Sequence, residues 1–162
     1  MIKKMMLGIM VFLVSAFAFA IDAESVVGTW ANWNDENTTI DSHVQIYRDG
    51  KEFKGKIVWL REPLFPADHE QAGKEKVDLK NGEEKLRTRK VLGLEMLYSF
   101  KYNSNDQRWV DGKVYNANDG KIYTGNMWLL DNGNLKLKGS IDAWGLIGKE
   151  KTWTRINSEQ KE

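Results

Sequence analysis

Beyond Ala20 the chain is organised by alternation of apolar and polar residues, and no long segment keeps a helical period. Side chains of a strand point to opposite faces in turn, so short alternating runs separated by turn signals predict an all-β sandwich or barrel. About eight runs can be marked, approximately Val26 to Trp33, Ser42 to Arg48, Glu52 to Arg61, Leu94 to Tyr102, Gln107 to Asn116, Lys121 to Leu130, Asn134 to Trp144 and Lys149 to Ile156. Asp49-Gly50, Asp119-Gly120 and Asn132-Gly133 fall between several of them. These dipeptides accept the positive φ of tight hairpins, so consecutive strands are expected to pair antiparallel as a meander.

Alternation also assigns faces. Phe53, Gly55, Ile57 and Trp59 share one side of the third strand, against Lys54 and Lys56. Tyr123, Gly125, Met127 and Leu129 form a second such row, and Leu135, Leu137, Gly139 and Ile141 a third. One apolar face per strand suits an antiparallel meander β-barrel, in which closure removes exposed edges. Gly55, Gly125 and Gly139 stand on the inward rows, where a missing side chain permits sharp coiling or leaves interior space. The exception is Glu62 to Val91, a polar loop between the third and fourth strands with room for a helical turn at Glu83 to Arg89. Its length suggests a functional segment such as a lid at the barrel mouth. The tail from Asn157 reads as frayed.

Residues before Ile21 follow a different pattern. Lys3 and Lys4 precede an apolar run from Met5 to Phe19, and Ala18-Phe19-Ala20 supplies a small-x-small cleavage site. That order predicts a cleavable signal peptide over 1–20 and one domain over 21–162. The expected destination is the periplasm, or alternatively secretion, with no stable membrane insertion after cleavage. With no cysteine anywhere, the domain relies on packing in place of disulfides, and lipoprotein anchoring and thiolate chemistry are excluded. Cleavage removes two lysines and no acid, turning the formal charge from +1 to −1. A chain so nearly neutral lacks the concentrated basic surface that nucleic acid requires.

Gly28-Thr29-Trp30 opens the first strand and Thr152-Trp153-Thr154-Arg155 ends the last, so barrel closure would bring Arg155 over the Trp30 indole at the end opposite the mouth. Gly28, Trp30 and Arg155 are therefore expected to act in closure. The pairing resembles the signature of calycin barrels, which include the lipocalins. Further stretches narrow the resemblance: Asp49-Gly50 with Gly55-Lys56-Ile57-Val58, Leu86-Arg87 with Leu92-Gly93-Leu94, Gly112-Lys113-Val114-Tyr115, Asp119-Gly120-Lys121-x-Tyr123-x-Gly125, Leu135-Lys136-Leu137-Lys138-Gly139, and Gly148 with Trp153-Thr154-Arg155. Together they resemble an exported bacterial family labelled domain of unknown function 2147, which implies a lipocalin-like barrel over the whole mature chain and no established reaction. Ala117 and Ser140 depart from the family's usual proline and aromatic.

Tyr115 and Tyr123 flank the turn containing Asp119, a grouping that suits either a polar ligand contact or a capped turn. Asp41-Ser42-His43 has the residue types of a hydrolase triad, but strand neighbours face opposite ways and cannot assemble one. Asp68-His69-Glu70 would need the second histidine, His43, to converge on it before holding a metal. Trp30, Trp33, Trp59, Trp109, Trp128, Trp144 and Trp153 can fill a core or line a pocket.

The expected function is non-enzymatic: a barrel holding a small, apolar or amphiphilic molecule, with Trp59, Tyr115, Tyr123, Met127 and Leu137 as candidate contacts and no cofactor or metal. The alternative is a packed barrel without ligand that docks an envelope protein or cell-wall polymer through Trp33, Trp128 or the long loop.

Overall fold

The computed structural model describes residues 21–141 and 148–157. The expected signal segment, and residues 142–144 of the expected seventh strand with Trp144, lie outside the described residues. Eight strands follow one another around a closed barrel: β1 (Gly28–Trp33), β2 (Ile40–Asp49), β3 (Glu52–Leu60), β4 (Glu95–Asn103), β5 (Arg108–Asn116), β6 (Lys121–Leu129), β7 (Leu135–Ser140) and β8 (Gly148–Ile156). Each pairs antiparallel with the next, and β8 returns to β1 with Trp30 opposite Arg155. The Asp-Gly and Asn-Gly turns carry their glycines at positive φ, 62° at Gly50, 73° at Gly120 and 80° at Gly133.

One end of the barrel is plugged. Asp22 caps a 3-10 turn at Ala23–Val26, its carboxylate accepting from the Glu24 amide while the Ser25 hydroxyl accepts from the Asp22 amide. Side chains of four strands then bond to the carbonyls of this segment: Trp30 Nε1 to Val26 (2.8 Å), Tyr102 Oη to Ile21 (2.6 Å), Trp109 Nε1 to Ala23 (3.1 Å), and Arg155 to Ser25 and Val27 (2.5 and 2.9 Å). The Arg155 guanidinium lies 4.2 Å from the Trp30 ring centroid, a contact contributing roughly 0.5–2 kcal/mol. Gly28 makes room for it, since a Cβ there would stand 2.6 Å from Arg155 Nη1.

Above the plug sits a packed layer of Phe53, Phe100, Trp109, Met127 and Leu135, all buried. Most glycines on the inner wall are filled by neighbours and leave no space. A Cβ on Gly55 would meet Leu97 at 2.8 Å, one on Gly125 Phe100 at 2.6 Å, and one on Gly112 the same ring at 2.3 Å. Gly139 differs, its nearest neighbour being the Tyr123 Cβ at an ordinary 3.6 Å. The interior is therefore solid at the plugged end and open toward the other.

Candidate functional site

The open half encloses a cavity of about 1120 Å³ at the end where β1 meets β2, β3 meets β4 and β5 meets β6. Its depth is apolar, lined by Ile57, Leu60, Leu94, Val114, Leu137 and Trp153. A polar spot interrupts that surface, where Trp153 Nε1 donates to Asn32 Oδ1 (2.9 Å) and Asn32 Nδ2 donates to the buried Ser42 hydroxyl (3.1 Å). Charged residues ring the mouth, among them Asp35, Arg61, Lys76, Lys80, Lys149 and Lys151.

Part of the cavity wall is the segment between β3 and β4, and it is folded. Isolated bridges pair Leu64 with Glu75 and Val77 with Lys90, and a short 3-10 turn forms at Glu84–Leu86. Its end adds to β3, where the Ile57 amide donates to the Leu94 carbonyl (3.0 Å) and the Gly93 amide to the Ile57 carbonyl (2.8 Å). Its middle is held by Asp78, which has no exposed surface. Tyr115 Oη donates to Asp78 Oδ1 (2.6 Å), and Asn81 Nδ2, Arg89 Nε and Arg89 Nη2 each reach Oδ2 at 2.8 Å. The Arg89 guanidinium also lies 5.0 Å from the Tyr115 ring centroid. Burial, then the Asp78 carboxylate beside it, pushes the Tyr115 phenol above its ordinary pKa. A second anchor joins the flap to the β5–β6 turn, where Gly120 approaches so closely that a Cβ would stand 1.8 Å from the Lys80 carbonyl oxygen.

The residues singled out in the sequence separate into three groups. Tyr115, Tyr123 and Leu137 line the cavity. The Tyr115 hydroxyl is committed to Asp78 and Asn81, and Tyr123 donates to Asp119 Oδ2 at 2.5 Å, while Asp119 Oδ1 caps the turn by accepting from the Lys121 amide. That carboxylate raises the Tyr123 pKa. Met127 is fully buried in the packed layer, outside the cavity lining. Trp59 corrects the expected inward row: it stands on the outer surface, 40% exposed and stacked on His43 at 4.4 Å between centroids. The cause is a bulge. His43 pairs with Trp59 and Val44 with Ile57, so Val58 is an extra residue that reverses the alternation and turns Leu60 inward instead.

The two histidines stand apart, His43 outside the wall and His69 at the cavity mouth. His69 stacks on Phe65 at 4.1 Å, and its Nδ1 accepts from the Gln71 amide. Among the described residues no group of three or more His, Asp or Glu could hold a metal ion. Sequence reasoning missed Asp78, Asn81 and Arg89 in the flap, and Arg61, Lys149 and Lys151 in the cavity, whereas Trp153, one of the tryptophans open to either a core or a pocket role, is buried and lines the cavity. Alternation counted from Trp153 would have placed Lys151 and Lys149 on its face of β8.

A closed eight-strand antiparallel meander, plugged at one end and hollow at the other, defines a lipocalin-type barrel. A similar solved structure is protein HP1028 from the human pathogen Helicobacter pylori, which is described as belonging to the lipocalin family. It is 26% identical, matching 82% of this chain and 84% of its own at a TM-score of 0.67. The family model described as "Uncharacterized protein conserved in bacteria (DUF2147)" matches residues 28–155, and the chain belongs to that family. No curated protein matches.

Proposed function

We propose that the protein is an exported binding barrel, resident in the periplasm or secreted, that holds one small, partly apolar molecule. The observation that carries this reading is the cavity of about 1120 Å³ with an apolar floor and polar mouth. Its size compares with the roughly 300–1,000 Å³ of sites that take small organic ligands. The lipocalin-type fold supports the same class of role. Leu137, Val114, Ile57 and Trp153 would supply apolar contact, and Tyr123 a polar edge. Export is supported by the order of basic, apolar and small residues over 1–20.

Trp153 reports on occupancy because its indole lines the cavity. Titrating the purified protein with apolar and amphiphilic compounds is expected to shift its tryptophan emission, with the matching complex seen by native mass spectrometry. Leu137→Trp, which fills the cavity, is expected to weaken binding about tenfold or more. Absence of any complex across such a panel would remove the ligand-binding reading. An intact mass from the cell envelope beginning at Ile21 tests export separately.

A second reading draws on the outer surface, where the bulge leaves Val58 and Trp59 both about two-fifths exposed. They offer an apolar contact for an envelope protein, and Trp59→Ala would abolish a crosslink there while leaving cavity binding intact.

A further inference from the structure

One strand grades the cavity from apolar to cationic. The inward row of β8 runs Trp153, Lys151 and Lys149 from the floor to the mouth, opposite Leu135, Leu137 and Gly139 of β7. Trp153 is buried, the Lys151 side chain is 32% exposed and that of Lys149 is 65% exposed. Indole therefore gives way to two ammonium groups over four residues, roughly 13 Å of strand.

A third cation joins them at the rim. Lys151 Nζ donates to the Trp33 carbonyl (3.1 Å) and Arg61 Nε to the Ile40 carbonyl (2.6 Å). Trp33 and Ile40 are partners in the β1–β2 ladder, so the two cations flank a single residue pair. Both lysines bond to Asp35, and the hydrogen bonds from Lys149 and then Lys151 hold its carboxyl below the usual carboxylate range. Arg61 has no carboxylate within ion-pair distance among the described residues, nor has Lys80. Lys76 pairs with Glu62 at 3.4 Å, and Asp119 is engaged by Tyr123. Asp41 also lines this rim. Around the end of β1 and β2, three cations thus face Asp35 and Asp41.

We propose that the ligand is an anionic amphiphile, such as an alkyl carboxylate, with its hydrocarbon on Trp153, Leu137 and Val114 and its head group among Lys149, Lys151 and Arg61. This rests on the reading of the barrel as a container for a partly apolar molecule. An anion entering there gains charge-assisted hydrogen bonds from three cations, of which Lys151 is already partly shielded from water, while its tail leaves water.

The test uses three probes with one tail: dodecanoate, dodecanol and dodecyltrimethylammonium, titrated near neutral pH below their micelle concentrations. Dodecanoate is expected to bind about tenfold or more tighter than the alcohol, with the ammonium weakest. Lys149→Gln with Lys151→Gln is expected to remove that preference by weakening dodecanoate far more than dodecanol. Lys136→Gln, on the outer row of β7, serves as a control for net charge. Arg61→Gln is a second, independent variant should the double change lower thermal stability. Equal affinity for acid and alcohol, preference for the ammonium, or equal weakening of acid and alcohol by the variants would overturn the anionic head group while leaving a binding barrel. Failure of all three probes to bind overturns both proposals for this class of tail.

Discussion

Gly112 lacks a side chain because Phe100 occupies its place: a Cβ there would stand 2.3–2.4 Å from three atoms of the ring, and the ring is fully buried. Gly112→Ala must therefore push Phe100 toward Gly125, against which it already packs. Overpacking of this kind costs about 1–3 kcal/mol, and chemical denaturation is expected to show a loss of that size. Gly139→Ala is the contrasting change, meeting only ordinary contact and costing little. Residues of this sort were partly legible, since inward glycines stood out by parity, but parity could not tell a filled site from an empty one. Trp59 shows a different limit. Ile57-Val58-Trp59-Leu60 is continuously apolar, so either face assignment fits it, and only the pairing of His43 with Trp59 reveals the extra residue. Lys149 and Lys151 failed for a third reason, because lysines on a strand are read as solvent-facing until the position of the mouth is known.

The flap between β3 and β4 was legible as a long loop, and its structure was not. Asp78 lies in a polar stretch that reads as solvated, and its burial depends on Tyr115, 37 positions away in sequence. Asp78→Ala leaves Arg89, Asn81 and the Tyr115 hydroxyl without their shared acceptor. A fully buried pair broken in this way costs about 3–5 kcal/mol; Arg89 keeps about a third of its side chain exposed, so a loss nearer 2–4 kcal/mol is expected. The same substitution should make the flap, and not the barrel, the first site of limited proteolysis. Tyr115→Phe removes the charge-assisted hydrogen bond to Asp78 and the neutral one accepted from Asn81, whose amide still reaches Asp78, and should produce a smaller loss of about 1.5–3 kcal/mol by the same assay. If both variants were cleaved first within the strands, the flap would not be held by this cluster.

At the scale of the whole molecule, the barrel was legible because its turns carry Asp-Gly and Asn-Gly and its strands keep their rows, whereas the cavity depends on where loops come to rest. All five tyrosines have pKa values raised above the ordinary value. Burial leads for Tyr47, Tyr98, Tyr102 and Tyr115, and the Asp119 hydrogen bond for Tyr123. Phenols of the unfolded chain ionise near pH 10, so above that pH the unfolded state binds fewer protons than the folded state and stability falls as pH rises. Denaturation midpoints are expected to decline above pH ~10, and phenolate absorbance to appear at higher pH in native protein than in denatured protein. The pairing of β1 with β8 carries a consequence in time. Carbonyls of Ser25 and Val27, near the start of the described chain, wait for Arg155, and the edge of β1 waits for β8. A ribosome that has released only the first seven strands therefore holds an unclosed sheet, open to chaperones and proteases. Commitment to the native state comes with the last strand.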